Sequence, residues 1–483
     1  MRRAAAGEML RRAPLASRPT IDPVARVARF WRDISAPGLF VASFVFLIAL
    51  GTAGLLLLPG LQRGPALGFV DALFTMTSAV CVTGLAVVDV ATHFTFWGQL
   101  WLLVFVQLGG LGLITLTSLI IGVLGRRLSI RSEMIAGPPA DLLGTTDMRR
   151  LLGAVARYTF SIEAVGALGL WAAFSRTLGP VDAIWPAVFH AVGAFCNAGL
   201  STFTTSLEGY ARDPAVLLIT AALIVLGSLG YLSGLELLRW WRAGGLRGRH
   251  RLSIHTWAAT VTTLVLIAAG FVFWAVFEWR GVLAGLGLVD RLVNALFMSV
   301  SARTAGFQSV PIAAVGNETA FLVILLMVIG GSPGSTAGGI KTTTAAVLVA
   351  LAIQRVQGRR NAVIRGRSVP EGTVERTISL ALLAAVVLTA SVFWLSFTET
   401  AGLATDEARS TFLPIFFEAT SAFATTGISM AHTPHLSLVG RLTCVLLMFM
   451  GRVGPLSFFA AITLKSRSTL RGVRPAREDL IVG

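Results

Sequence analysis

Eight apolar runs, at about 37–58, 98–124, 151–174, 213–238, 254–277, 318–354, 376–398 and 437–463, constrain this chain more than any other feature. Roughly 20 apolar residues carry a helix across the hydrocarbon core of a bilayer, where every backbone polar group must be bonded internally. With 55% of its 483 residues hydrophobic and only 13% charged, the chain has too little charge to cover a water-soluble surface of this size. The runs predict an all-α polytopic protein of the cell membrane.

The segments between the runs alternate in basic residues. Eight arginines precede the first run, and 125–150 carries five (Arg126, Arg127, Arg131, Arg149, Arg150). Five basic residues fall in 239–251, six in 355–376 and five in 465–483, whereas 59–97 has only Arg63, 175–212 has Arg176 and Arg212, 278–317 has three, and 399–436 has Arg409. Basic residues in short connections stay on the cytoplasmic side, so both termini are expected inside, with eight spans in four pairs. The tail 1–36 has no apolar core of a cleavable signal peptide. The same bias accounts for Arg247, Arg249 and Arg251, which anionic membrane lipid, a cytosolic partner or water could meet, and within the net charge of +16 no nucleic acid is implied. Three cysteines (Cys81, Cys196, Cys444) make neither a disulfide framework nor a metal-ligand spacing, and the histidines, His432 and His435 included, make no metal set.

Each arginine-poor connection holds an apolar stretch of about a dozen residues: FVDALFTMTSAV, DAIWPAVFHAVGAF, RLVNALFMSVSA and FLPIFFEATSAF. Such stretches are too short to span and too apolar for exposed loops, which predicts re-entrant half-helices buried in protein or lining water. The expected unit is span, re-entrant helix, return segment, span. It occurs at 37–124, 151–242, 253–355 and 376–464, between the basic tails 1–36 and 465–483.

A related tetrad follows each short helix: Val82-Thr83-Gly84-Leu85, Asn197-Ala198-Gly199-Leu200, Thr304-Ala305-Gly306-Phe307 and Thr425-Thr426-Gly427-Ile428. A phenylalanine precedes the glycine by ten positions in three repeats (Phe74, Phe189, Phe417) and by nine in the third (Phe297). Small residues follow the same offset, Ser78, Gly193 and Ser421 at six before and Ser301 at five, so the third repeat is one residue shorter there. An ion crossing a membrane exchanges hydration water for fixed oxygens, and backbone carbonyls supply these without a trapping charge. Glycine admits the backbone turns that aim carbonyls at an axis, and a helix C-terminus adds a negative dipole. Four such loops around one pseudo-four-fold axis would make a central cation pore. The alternative is that each glycine merely caps its short helix.

The sixth run is interrupted by GGSPGSTAGGIKTT, Gly330 to Thr343. The spacing of Gly334 and Gly339 approaches a phosphate-binding loop, but Ile340 stands before Lys341-Thr342 and no βαβ context surrounds it. Nucleotide chemistry, and with it an enzyme, is not expected. A break inside a span must have its backbone groups satisfied by neighbours or water, so the segment should line a cavity below Gly306. Gly334, Ser335, Thr336, Gly338 and Gly339, with Lys341 beside them, are the expected movable plug; a passive packing kink is the alternative.

In this order, TSAVCVTGL with WGQ and QLGGLG, ARTAGF, SPGSTAGGIKTTT and GRVGPLSF resemble the Trk/Ktr/HKT superfamily of potassium transporters, from about residue 37 onward. The chain starts close before its first span, which is similar to the Ktr-type translocating subunit rather than the longer Trk type. The resemblance implies a fold like four fused potassium-channel subunits, with K+ bound at the four tetrads and no covalent cofactor. Gly84 implies potassium, since serine at the first filter position goes with sodium preference in plant relatives. It also implies an intramembrane gating loop at 330–343, and Arg452 as part of the barrier beneath the filter. Homodimerisation and a cytosolic nucleotide-binding, RCK-type regulatory subunit are implied as well. Sodium dependence, a sodium or non-selective transporter of the same fold, and a carrier for another solute stay open.

Several charged residues fall in or near apolar segments. Glu163, Glu236 and Glu418 are expected to bond loop backbone, Glu418 bracing the fourth filter, against a role in proton coupling or ion binding. Asp71, Asp182 and Asp290 are expected to cap the short helices. Arg303 is expected to brace the third filter, and a salt bridge to a buried carboxylate is the alternative for Arg452.

Overall fold

The computed structural model describes residues 36–123, 148–245, 251–359 and 361–454. The tail through residue 35, the arginines at 126–131, Arg247, Arg249, the end of the last apolar run and the tail 465–483 lie outside the described residues.

One order of helices recurs four times. A long helix leads (Ala36–Leu57, Met148–Leu178, Ile254–Phe277, Glu371–Glu399), a short helix follows (Phe69–Val80, Ile184–Cys196, Leu288–Ser301, Thr405–Ala424), and a return helix begins at Phe96, Pro214, Asn317 or Leu438. The fourth short helix starts at Thr405, two turns before the apolar stretch that announced it, and contains Pro414. The basic connection after the third repeat holds an unexpected hairpin, Val363–Ile364 against Arg367–Ser368. Arg365 (φ 51°) and Gly366 (φ 75°) take the left-handed turn that a two-residue hairpin loop requires.

The sequence predicts a broken return helix in the third repeat only. The structure corrects this. The first return helix kinks at Gly112 (φ 59°, ψ −152°), the second bends by 106° between Leu229 and Tyr231, and the fourth reaches Gly454 at φ 87°. Each break lies three residues beyond a glycine that touches a short helix. A methyl group on Gly109, Gly227 or Gly451 would collide with the carbonyl of Val80, Phe195 or Phe423, respectively. Those carbonyls belong to the last turn before each tetrad. Glycine lets the return helix approach there, and in the first and second repeats the positive-φ glycine three residues on turns the chain away.

Among the described residues two helices, Ile254–Phe277 and Glu371–Glu399, are long and apolar enough to cross a membrane, or three when the bent pair Pro214–Leu229 and Tyr231–Arg242 counts as one. Outward faces are apolar: Leu57 is 79% exposed, Val165 71% and Phe393 76%. A surface this apolar is built for a hydrocarbon surround. Inside, one buried apolar cluster joins repeats 1 and 4 and another joins repeats 2 and 3. Phe189 of repeat 2 is buried in the first and Phe417 of repeat 4 in the second, so the four repeats interlock.

Candidate ion filter and its inner loop

The four tetrads meet in a ring that closes in sequence order. A methyl group on Gly84 would come within 2.5 Å of the Ala198 carbonyl oxygen, one on Gly199 within 3.1 Å of Ala305 O, and one on Gly306 within 2.5 Å of Thr426 O. One on Gly427 would collide with the Thr83 carbonyl, which returns the contact to the first repeat. At each step a glycine of one repeat faces the carbonyl just before the glycine of the next. Sequence separations of 115, 107 and 121 residues are thus reduced to van der Waals contact.

Each tetrad is held by the end of its own short helix. The amides of Thr83, Ala198 and Thr426 donate to the carbonyls of Ser78, Gly193 and Ser421 (2.8, 2.8 and 2.9 Å), five residues back. In the third repeat Ala305 N reaches only four back, to Ser301 O at 3.0 Å, as the shorter spacing requires. The Ser78 and Ser421 hydroxyls accept from the amides of Gly84 and Gly427, both at 3.0 Å. Phe74, Phe189, Phe297 and Phe417 lie fully buried behind the loops. The glycines are not helix caps. The first residue of every tetrad takes the left-handed conformation instead, Val82 (φ 56°), Asn197 (60°), Thr304 (70°) and Thr425 (51°), and each glycine follows two residues later, again at positive φ. Left-handed backbone costs a non-glycine residue roughly 1–2 kcal/mol, more readily excused for Asn than for Val or Thr. Four matched strains around one ring indicate a geometry that the fold is made to hold.

On one side of the ring a cavity of about 360 Å³ is lined by Gly84, Gly199, Gly306 and Gly427, with Asp89, Glu208 and Gln308 among its walls. Burial raises the Glu208 carboxyl above its ordinary range. On the other side lies the break of the third return helix, which stops at Val328 and resumes at Thr342. Gly330 N and Ile340 O bond at 2.8 Å, and Ile340 N donates to Val328 O at 3.1 Å, pinching the base of the loop. The loop leans on the second repeat, where Ser332 N donates to Ser228 O at 2.9 Å and Thr336 N to Gly227 O at 3.3 Å. A methyl on Gly338 would collide with the Thr425 hydroxyl, and one on Gly330 would lie 3.2 Å from the Thr304 methyl. Lys341 Nζ folds back onto Ala337 O at 2.7 Å. Gly334 (φ 70°) and Gly339 (φ 65°) supply the turns; Gly334 is exposed, and Ser335 bonds within the loop, to Ser332 O at 2.6 Å. Arg452 stands between two backbone carbonyls, donating to Thr336 O of the loop and, at 2.5 Å, to Gly109 O of the first repeat. The ion pairs among the described residues are Arg409–Asp406 and Arg441–Asp71, so the salt-bridge alternative for Arg452 is corrected to carbonyl contacts.

The sequence profile of TrkH, described as a cation transport protein, matches residues 37–470. The chain belongs to this family. It is 31% identical over 457 residues to the potassium/sodium uptake protein NtpJ of Enterococcus hirae, covering 94% of this chain and 99% of that one. It is 32% identical to the Ktr system potassium uptake protein B of Bacillus subtilis (91% and 96% covered). The corresponding protein of Vibrio alginolyticus is 33% identical (87% and 90% covered). The crystal structure of the potassium transporter TrkH from Vibrio parahaemolyticus superimposes with a TM-score of 0.68 at 19% identity, over 90% of this chain and 86% of that one. This TrkH-family chain is therefore a predominantly helical membrane protein with the fold of that transporter.

Within the TrkH-family frame, the other charged residues fall into place with several corrections. Glu418 accepts from Ser429 Oγ (2.5 Å), Met430 N (3.1 Å) and Thr433 Oγ1 (2.7 Å); it bonds loop backbone as expected, but in the segment after the fourth tetrad rather than in the tetrad itself. Glu236 accepts from Ser253 N and the hydroxyls of Ser253 and Thr256 at the start of the next helix. Glu163 bonds no loop backbone; its carboxylate accepts from Gln107 Nε2 at 3.0 Å, beside Cys196. Arg303 grips the root of the inner loop rather than the filter, donating to Gly330 O at 2.9 Å. None of the three expected aspartate caps forms, because Gly68, Ala183 and Gly287 occupy the cap positions. Asp71 instead pairs with Arg441 of the fourth repeat at 2.5 Å. Sequence reasoning passed over Glu278 and Glu399. At the ends of the third and fourth long helices they bond the starts of their return helices, Glu278 at Gly316 N (2.9 Å) and Thr319 Oγ1 (2.6 Å), Glu399 at Ser437 N (2.9 Å). The repeated position at a long helix's end was the available signal.

Proposed function

We propose that this chain is the translocating subunit of a potassium uptake system. The observation that carries the proposal is the ring, in which four glycine-bearing loops close in sequence order with their carbonyls at the contact. A closed ring of backbone oxygens replaces the hydration shell of an alkali cation. Val82, Thr83, Gly84, Asn197, Ala198, Gly199, Thr304, Ala305, Gly306, Thr425, Thr426 and Gly427 form the filter. The protein crosses the membrane eight times, with four re-entrant pore helices around a pseudo-four-fold axis. The arginine alternation supports cytoplasmic termini, with the Glu208 side of the ring outside. Potassium is favoured by the names of the Ktr relatives and by Gly84; the name of the Enterococcus relative includes sodium, so both ions belong in the test.

The inner loop is the gate, with Gly334 and Gly339 as turns, Gly338 and Thr336 against the filter, and Arg452 and Lys341 as basic groups near the path. Homodimerisation and control by a cytosolic nucleotide-binding ring of the RCK type complete the proposal. Uptake of rubidium, potassium and sodium should be measured in proteoliposomes and in cells lacking other potassium uptake. Saturable rubidium uptake competed by potassium supports the assignment. No cation flux from correctly inserted protein overturns it.

A further inference from the structure

The inner loop touches three filter loops but bonds only one. At repeats 3 and 4 it meets the side chains of Thr304 and Thr425, whose hydroxyls have no partner among the described residues. At repeat 1 the matching residue is Val82, which has no polar side-chain atom. At repeat 2 Asn197 Nδ2 donates to Thr336 Oγ1 at 3.1 Å, and Thr336 Oγ1 donates onward to Phe195 O at 2.9 Å. The direction of this chain follows from proton count. The threonine hydroxyl has one proton, which goes to the carbonyl, so the asparagine must present its N–H side. Asn197 and Thr336 are both buried, and Asn197 Oδ1 has no partner among the described residues. Thr336 is also the loop residue whose amide is held by Gly227 O and whose carbonyl is held by Arg452. Four hydrogen bonds from repeats 2 and 4 thus converge on one loop residue.

Resting on the gating role proposed above, we infer that Asn197 and Thr336 are a latch that couples the gate to the second filter loop. Asn197 is held left-handed at the inner end of its tetrad by its own loop, and its amide fixes Thr336. Withdrawing the loop breaks the Nδ2–Oγ1 bond and frees the asparagine amide inside the filter. Opening the gate and changing the inner end of filter 2 are then one event. Thr336 acts as a positioning residue, through Asn197.

Three variants test this in proteoliposomes without any cytosolic partner. Thr336→Val keeps the shape and removes both side-chain bonds, and should raise rubidium flux about tenfold. It should also shift the external rubidium concentration for half-maximal rate, because filter 2 is altered as well as the gate. Thr336→Ser keeps the hydroxyl and should behave as the native protein. Asn197→Gly retains access to the left-handed conformation while deleting the amide, and should raise flux about fivefold. Combined with Thr336→Val it should add nothing further. Deleting Ala337 to Gly339 is the companion measurement for the gate itself. If the deletion raises flux but Thr336→Val does not, the latch is wrong and the gate stands. If neither raises flux in folded protein, the gating role fails and takes the latch with it. Additive effects of the two point substitutions, or a rate increase with unchanged half-saturation, would overturn the coupling.

Discussion

Replacing Gly84 by serine is the most direct challenge to the filter. Gly84 has φ +99°, and a β-carbon there would lie 2.5 Å from the Ala198 carbonyl oxygen and 2.9 Å from the Gly199 α-carbon. The conformational strain alone costs about 1–3 kcal/mol. To restore an ordinary contact of 3.4 Å from 2.5 Å, the oxygen must retreat by about 0.9 Å, and it is backbone, not the end of a flexible side chain. The fold, with about 5–15 kcal/mol in hand, survives such a local change. The ring does not keep its geometry, because the displaced oxygen belongs to the contact between filters 1 and 2. Losing one well-placed oxygen contact to a cation is worth about 1.5–3 kcal/mol, which predicts a tenfold to hundredfold loss of potassium-over-sodium preference. Rubidium uptake competed by sodium or potassium in proteoliposomes reads this ratio. Gly64→Ser is the control: it also has positive φ (92°) but has open space around it, so it carries the strain without the contact. An unchanged preference in monodisperse Gly84→Ser protein, or an equal loss in Gly64→Ser, would refute the ring as the seat of selectivity.

Three further outcomes follow from the same geometry. Arg452→Gln removes the charge that ties Thr336 O to Gly109 O, two contacts of about 1.5–3 kcal/mol each, and should raise partner-free rubidium flux at least tenfold; unchanged flux would refute a closing role for the guanidinium. Glu418→Gln sets an N–H₂ group against one of the donors on Ser429, Met430 and Thr433, which should lower the thermal midpoint by a few degrees and weaken ion preference; an unaltered midpoint would show that this bracing is dispensable. Glu208, with its carboxyl raised by burial, loses its negative charge as pH falls at a higher pH than an exposed glutamate does. Uptake from dilute potassium should therefore decline on mild acidification, and Glu208→Gln should flatten that decline; a decline that persists in the variant assigns it to another group.

The helices and the ring were legible for different reasons. Apolar length and arginine alternation announce helices because a bilayer tolerates little else, and Ile254–Phe277 and Glu371–Glu399 fall where those rules put them. The tetrads were visible because one phenylalanine and one small residue keep their offsets from each glycine, even to the missing residue in the third repeat, where Ala305 N bonds four residues back instead of five. The breaks at Gly112 and Gly230 were hidden, since single glycines inside apolar runs are ordinary in membrane helices. Their signal was the pair, Gly109 with Gly112 and Gly227 with Gly230, matched by Gly451 with Gly454. The aspartate caps failed because capping depends on where the helix starts, and each start fell within three residues of the aspartate, too far along or too early for its side chain to reach the free amides. The partners of Arg303 and Arg452 are backbone carbonyls of distant segments, which residue types cannot reveal.

The loop proposed as the gate enlarges a break that the first two repeats share. Gly109, Gly227, Gly330 and Gly451 follow their tetrad glycines by 25, 28, 24 and 24 residues. In three repeats this glycine meets the carbonyl of the last short-helix turn and a glycine at positive φ stands three residues on, which deflects the chain in the first two. In the third repeat Pro333 stands at that offset, and Gly330 faces the carbonyl of Gly338, a residue of its own inserted loop. The loop thus occupies the position that a short-helix carbonyl takes elsewhere, and it does so in the one repeat whose stretch from phenylalanine to tetrad glycine is a residue shorter. On the gating reading proposed above, the missing residue and the inserted loop belong together: three repeats keep a close glycine contact with the short helix, while the third replaces it with a contact inside its own loop.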